Sequence, residues 1–180
     1  RIFTSGSEQV RIDDSGNVGI GTTAPENALH VYDASTPVTI ERIISGTNTR
    51  QGTLDLVAKS SGNMADGFGP QINFKIEDDT GTTENTIFGI AAIRDGADNS
   101  GALVLRAVTG GSESESMRID DSGNVGIGIT PNTWTAFDPV LQLEYGALAG
   151  SSVDNFRMFA NTYYDGAYKH VATGFSSIYE

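Results

Sequence analysis

Arg11-Ile12-Asp13-Asp14-Ser15-Gly16-Asn17-Val18-Gly19-Ile20-Gly21 is the stretch that decides the fold, because the chain contains it twice. The same eleven letters, RIDDSGNVGIG, return as residues 118–128, 107 positions later. So long an identity in a 180-residue chain marks a repeated cassette separated by an insert. Asp14-Ser15-Gly16 suits a three-residue hairpin loop, a type I turn followed by a left-handed glycine that forms a bulge. That turn sets Ile12 opposite Val18, Arg11 opposite Gly19 and Val10 opposite Ile20. Side chains alternate along a strand, so Val10, Ile12, Val18 and Ile20 share one face and Arg11, Asp13, Asn17 and Gly19 the other. Met117, Ile119, Val125 and Ile127 repeat the apolar face in the second copy. A one-residue slip would scatter these side chains over both faces, which fixes the register.

Gly16 and Gly123 are expected at positive φ, since glycine enters the left-handed region without a Cβ penalty. Gly19 and Gly126 are expected in strands, leaving room for an arginine stem or for a neighbouring subunit's backbone. A lone hairpin is marginal in water, and no amphipathic helix is at hand to cover the apolar face. Its cover must come from other strands or other subunits. Val10, Ile12, Val18, Ile20, Met117, Ile119, Val125 and Ile127 are therefore the candidate subunit-interface residues.

The cassette, with Thr22-Thr23-Ala24-Pro25 and Leu29-His30-Val31 after it, resembles the RIDxSGNVGIGTTxP element strung along bacteriophage tail fibres. Ala160 to Lys169, with its Tyr-Tyr-Asp-Gly core, is similar to another segment of such fibres, and together the likenesses cover roughly a third of the chain. Many of those fibres end in a self-cleaving intramolecular chaperone domain of the endosialidase type, whose serine and lysine motif is not found in these residues. The resemblance implies a homotrimeric structural fibre segment on the virion, outside the cell, with other fibre or virion proteins as neighbours and a host surface glycan or protein as a further partner. The second copy departs from the pattern: Gly128-Ile129-Thr130-Pro131 is one residue short, and the spacer from the proline to the next apolar strand is six residues longer.

Composition agrees with a turn-rich all-β chain. Glycine numbers 22 and hydrophobic residues make up only 38 %, so a core shared between subunits is expected. The net charge of −12 disfavours nucleic acid, which demands a basic footprint, and anionic membrane surfaces; acidity here keeps an exposed chain in solution. The chain has no cysteine, hence no disulfide framework, and no apolar run long enough for a membrane-spanning helix. Arg1 and the uncapped ending at Glu180 read as a piece of a longer polypeptide.

The expected architecture is antiparallel hairpins and small sheets along an elongated, trimeric fibre. Residues 1–9 end an upstream module, 10–32 hold the first cassette and its following strand, 33–116 form a β-rich insert, 117–145 the second cassette and strand, and 146–180 begin a further module. Within the insert, strands are expected at Val38–Ile44, Leu54–Ala58, Gln71–Glu77, Asn85–Arg94 and Ala102–Val108, with a long loop from Lys59 to Gly69. Later strands are expected at Val140–Tyr145, Phe156–Phe159 and Tyr168–Ala172. Thr133 to Phe137 reads either as an apolar plug or as a helical turn.

Chemical motifs fail on inspection. Gly16-Asn17-Val18-Gly19-Ile20-Gly21 lacks the order, the lysine and the helix of a phosphate loop. The oxygens of Asp13, Asp14, Ser15 and Asn17 miss the calcium-loop spacing, which makes turn hydrogen bonding the preferred reading. His30 and His170 have no partner at metal spacing. No enzyme activity and no cofactor are expected. The competing classes are a tailspike-like polysaccharide-degrading enzyme, which would need paired carboxylates in a cleft, and a non-viral extracellular appendage or adhesin. Tyr163, Tyr164 and Tyr168, in an aromatic-rich tail with Phe175 and Tyr179, are candidate ligand contacts, although packing into a further module is the favoured reading. A receptor site is placed sooner on the 59–69 loop, because loops on a rigid scaffold carry binding.

Overall fold

The computed structural model describes residues 1–33, 38–43, 52–77, 84–137, 139–152, 155–165, 167–170 and 177–179. It is all-β, with no helix among the described residues. The chain divides into two compact units, residues 1–55 and 56–180.

The first unit holds one four-stranded sheet in the order β1 (Ile2–Thr4), β2 (Ser7–Ile12), β3 (Val18–Ile20) and β4 (Leu29–Val31). β2 and β3 are the cassette hairpin, with Val10 opposite Ile20, Arg11 opposite Gly19 and Ile12 opposite Val18, the register that the alternation of side chains requires. β4 then returns parallel to β3. The sheet is therefore mixed, where antiparallel hairpins alone were expected. The physical reason is the connection: residues 21–28 carry the chain back across the sheet before β4 begins, and a strand that follows a crossover runs parallel to its predecessor.

The second unit repeats this plan inside a nine-stranded sheet, so the sheets are not all small. Its strands lie in the order β15 (Ser177–Tyr179), β12 (Asn155–Ala160), β11 (Gly146–Ser152), β10 (Val140–Leu143), β9 (Val125–Ile127), β8 (Ser112–Ile119), β7 (Ala97–Thr109), β6 (Asn85–Asp95) and β5 (Gln71–Ile76). β8 and β9 are the second cassette, and β10 returns parallel to β9 after the longer crossover of residues 128–139. β13 (Thr162–Tyr164) and β14 (Tyr168–His170) form a separate two-stranded hairpin.

The repeat is longer in space than in sequence. β1 and the end of β7 occupy the same place beside their cassettes, and each meets the next strand with a bulge at the same point, between Ile2 and Phe3 and between Leu105 and Arg106.

Two buried clusters lie on one side of the large sheet. Ala91, Ile93, Ala102 and Val104 form the first; Trp134, Phe137, Val140, Ala147, Ala149 and Phe159 form the second. Trp134 and Phe137 are an apolar plug carried by the crossover, and their rings stand edge-on to one another and to Phe159. The crossover is tied down by side-chain amides. Gln142, fully buried, accepts from the Asn132 backbone N–H at 3.0 Å and from Trp134 Nε1–H at 3.1 Å. Asn124 Oδ1 accepts from the Val140 backbone N–H at 2.9 Å. These two amide oxygens are satisfied, as buried polar atoms ordinarily are, whereas the buried Gln142 Nε2 has no hydrogen-bond partner among the described residues.

Two of the expected insert strands do not form. Residues 38–43 and 54–58 carry no strand, and Ile44 lies outside the described residues. Alternation alone does not make a strand: its stability comes from cross-strand partners, and Ile43 is 92 % exposed and pairs with no strand among the described residues.

Candidate subunit interface

The turn of the cassette is built the same way in both copies. Asp13 Oδ1 accepts from the backbone N–H groups of Ser15 (2.8 Å) and Asn17 (2.9 Å), and Asn17 Nδ2 donates to Asp13 Oδ2. Asp120 does the same with Ser122 and Asn124. Gly16 and Gly123 both adopt φ of +85°. The carboxylate oxygens are thus engaged by the turn itself. The Asn17 N–H, foremost among the donors around it, holds the Asp13 carboxyl below its ordinary range.

Arg11 and Arg118 lie on the face opposite the apolar one. Arg11 forks onto Glu8, with Nε to Oε1 at 2.5 Å and Nη2 to Oε2 at 3.1 Å. Arg118 forks onto Glu115 at 2.8 and 3.0 Å and also reaches Asp95 at 2.9 Å. Bidentate pairing fixes a guanidinium in one plane. The Arg11 hydrogen bond lowers the Glu8 pKa, and the Glu115 hydrogen bond raises that of Arg118.

Gly19 and Gly126 are buried beneath the chain's own crossover, where room for an arginine stem or another subunit was expected. A Cβ on Gly19 would stand 2.7 Å from the Thr22 carbonyl oxygen; one on Gly126 would stand 2.1 Å from that of Ile129. The glycines let the crossover lie flat on the sheet, so one face of each cassette is covered from within the chain.

The other face is open. In the first unit, register places Ile2, Val10, Ile20 and Val31 in one row and Ile12, Val18 and Leu29 in the next. Ile12 is 64 % exposed and Ile20 41 %. In the second unit the rows run much further. Ile72, Ile90, Leu105, Met117, Ile127 and Leu143 stand side by side across six strands. Leu103, Ile119, Val125, Leu141, Leu148 and Met158 form the adjacent row. Val10, Val18, Met117, Ile119 and Val125 are half-buried; Ile127 is exposed. The structure thus sets the eight cassette residues on two open sheet faces. Sequence reading missed the flanking members of the second, from β5 to β7 and from β10 to β12. Their alternation was visible, but which strands adjoin the cassette was not.

The remaining candidates lie elsewhere. Tyr168 pairs with Tyr164 across the β13–β14 hairpin; its hydroxyl accepts from Arg157 Nη1 at 2.5 Å and its ring lies 6.2 Å from that of Phe159. Tyr163 is in β13 and Tyr179 in β15, but the side chains of Tyr163, Tyr164 and Tyr179 and the whole of Phe175 lie outside the described residues. The end of the 59–69 loop runs along the β6 edge, where the Arg94 N–H donates to the Phe68 carbonyl at 2.7 Å and Gly67 N–H to that of Arg94 at 3.0 Å. Asp66 completes the attachment through Arg94 Nη1 at 2.5 Å and the Gly96 N–H at 2.9 Å.

No protein-family model matches this chain, and no curated protein matches it either.

Proposed function

We propose that this chain is a structural segment of a bacteriophage tail fibre, a homotrimer on the outside of the virion that contributes to host attachment and does no catalysis. The observation that carries this reading is the open apolar face presented by both copies of the cassette. Large side chains in contiguous exposed rows mark an association surface, whereas scattered exposed apolar residues are ordinary. Val10, Ile12, Val18, Ile20, Met117, Ile119, Val125 and Ile127 are the subunit contacts, lying at or beside a three-fold axis. The likeness of the cassette, the Thr-Thr-Ala-Pro turn and the Tyr-Tyr-Asp-Gly stretch to tail-fibre elements supplies the biological setting. Neighbouring fibre or virion proteins continue the assembly, and a host surface glycan or protein is its target.

Sedimentation equilibrium gives the first test: a protein of these 180 residues should have three times its 19.0 kDa chain mass. Antibodies against the chain should then decorate the fibres of virions in projection images. A monomer at micromolar concentration would sink the trimer, and decoration of a filament without a virion would move the chain to a cellular appendage.

A further inference from the structure

We infer that the open face of the nine-stranded sheet is an interface between copies of this chain across its width from β5 to β12, well beyond the second cassette; the inference rests on the self-association proposed above. The face is continuous. Register joins Ile72 of β5 to Leu143 of β10 in one row, and Leu103 of β7 to Met158 of β12 in the next. Leu103 is 44 % exposed and Met158 51 %, although neither belongs to the cassette. With strands about 4.8 Å apart and alternate residues about 7 Å apart, the twelve apolar residues of the two rows cover an area on the order of 400 Å². That is the size of the largest apolar patches on monomers, which are often functional, and supplies about half of the roughly 800 Å² per partner of a stable interface, polar rim included.

The occupant is a second copy of this chain. Each chain carries a net charge of −12, so copies repel wherever their charges meet. From β5 to β12 neither row contains a charged residue. Arg118 and Arg157 sit on the opposite side, in pairs or stacked on a ring. This face is where two such chains can approach without opposing like charges. It is also one of two faces built on the same eleven residues. A copy running alongside in the same direction offers each face its own equal, a match that an unrelated partner would have to reproduce twice.

The test uses positions outside the cassette and the absence of native cysteine. Leu103→Lys, on an already exposed position, should keep the wild-type far-ultraviolet spectrum and raise the concentration at which the assembly dissociates at least tenfold. Leu103→Cys, in the assembled protein, should react with iodoacetamide at least tenfold more slowly than Ser112→Cys, at the exposed start of β8. Assembly of Leu103→Lys at the wild-type concentration, or equal reactivity of the two cysteines, would overturn the wide interface and leave the trimer standing if Ile119→Lys still dissociates it. A wild-type monomer, alone or bound to neutral phospholipid vesicles through this face, would overturn both.

Discussion

Gly126→Ala puts a single methyl where the crossover meets the sheet. The new Cβ would stand 2.1 Å from the Ile129 carbonyl oxygen and 2.9 Å from Pro131 Cδ. Two effects of opposite sign compete. Gly126 is not in the left-handed region, so alanine fits its φ and restricts the unfolded chain, which favours folding by about 0.4–1 kcal/mol. Overpacking typically costs about 1–3 kcal/mol, and the obstacle here is backbone and a proline ring that have no other rotamer to adopt. The steric cost wins, with a net loss of about 2 kcal/mol. Gly19→Ala is the internal control: the same residue in the same eleven-residue cassette, with its nearest atom at 2.7 Å and the next, a flexible Thr22 methyl, at 3.1 Å. Its loss should be about 1 kcal/mol or less. Trp134, the only tryptophan, rides on the second crossover, so urea unfolding followed by its emission reads this region directly. Gly126→Ala should lower the midpoint and shift native emission to the red; Gly19→Ala should leave the native emission as it is. A Gly126→Ala midpoint equal to or above wild type would refute the claim that the crossover lies flat on the glycine.

Ile20→Asp places a charge on the first cassette's open face and should dissociate the proposed trimer, since burying such a side chain contributes about 1.5–3 kcal/mol per chain; an unchanged sedimentation profile would count against that face as the contact. Gln142→Leu strands the Trp134 indole N–H and the Asn132 backbone N–H, each costing about 1–3 kcal/mol when buried without an acceptor, so the second unit should melt measurably earlier than wild type. The Asp13 carboxyl titrates below its ordinary value when folded, so its stabilisation is complete above the ordinary carboxylate range and is lost as pH falls through the folded value. The protection of the Asn17 amide against exchange, taken relative to the unfolded chain at the same pH, should therefore fall on acidification from pH 5 to pH 2, and Asp13→Asn should flatten that dependence; equal protection profiles for the two proteins would argue against the turn carboxylate.

The hairpins were legible because turn chemistry and alternation agree at every position from Val10 to Ile20. The parallel return strands were not. Residues 22–28 and 129–139 contain no helical period, and a crossover made of irregular chain gives no signal of its direction. The proximity of Pro25 to Gly19, and of Pro131 to Gly126, depends on that crossover, so the reason for the cassette's second glycine was hidden as well. Gln142 reads in sequence as the polar member of an alternating strand; only the fold reveals that it faces the Trp134 plug. Val38 to Ile44 erred in the other direction: it has a strand's pattern, yet residues 38–43 pair with no strand among the described residues.

The two copies agree over the eleven residues of the cassette and differ in the crossovers that cover it and in the strands beside it. Residues 21–28 and 128–139 diverge in length and content, and each crossover still passes over its glycine. The flanking rows diverge too: Ile2 stands where Leu105 does, and Val31 where Leu143 does. Folding alone would tolerate equal freedom in the hairpin, because conservative apolar exchanges in a partly exposed sheet cost little. From Arg11 to Gly21 there is none, and the glutamate three residues before the arginine is kept too, although Met117 replaces Val10 on the same face. On the proposed self-association, a requirement that acts from outside the chain accounts for this difference. If copies meet at the hairpin face, its geometry must suit the same partner at both places along the chain, while each crossover answers only to the sheet beneath it. On the proposed reading, exchanging the two crossovers should therefore alter the stability of each unit and leave the stoichiometry of the assembly at three.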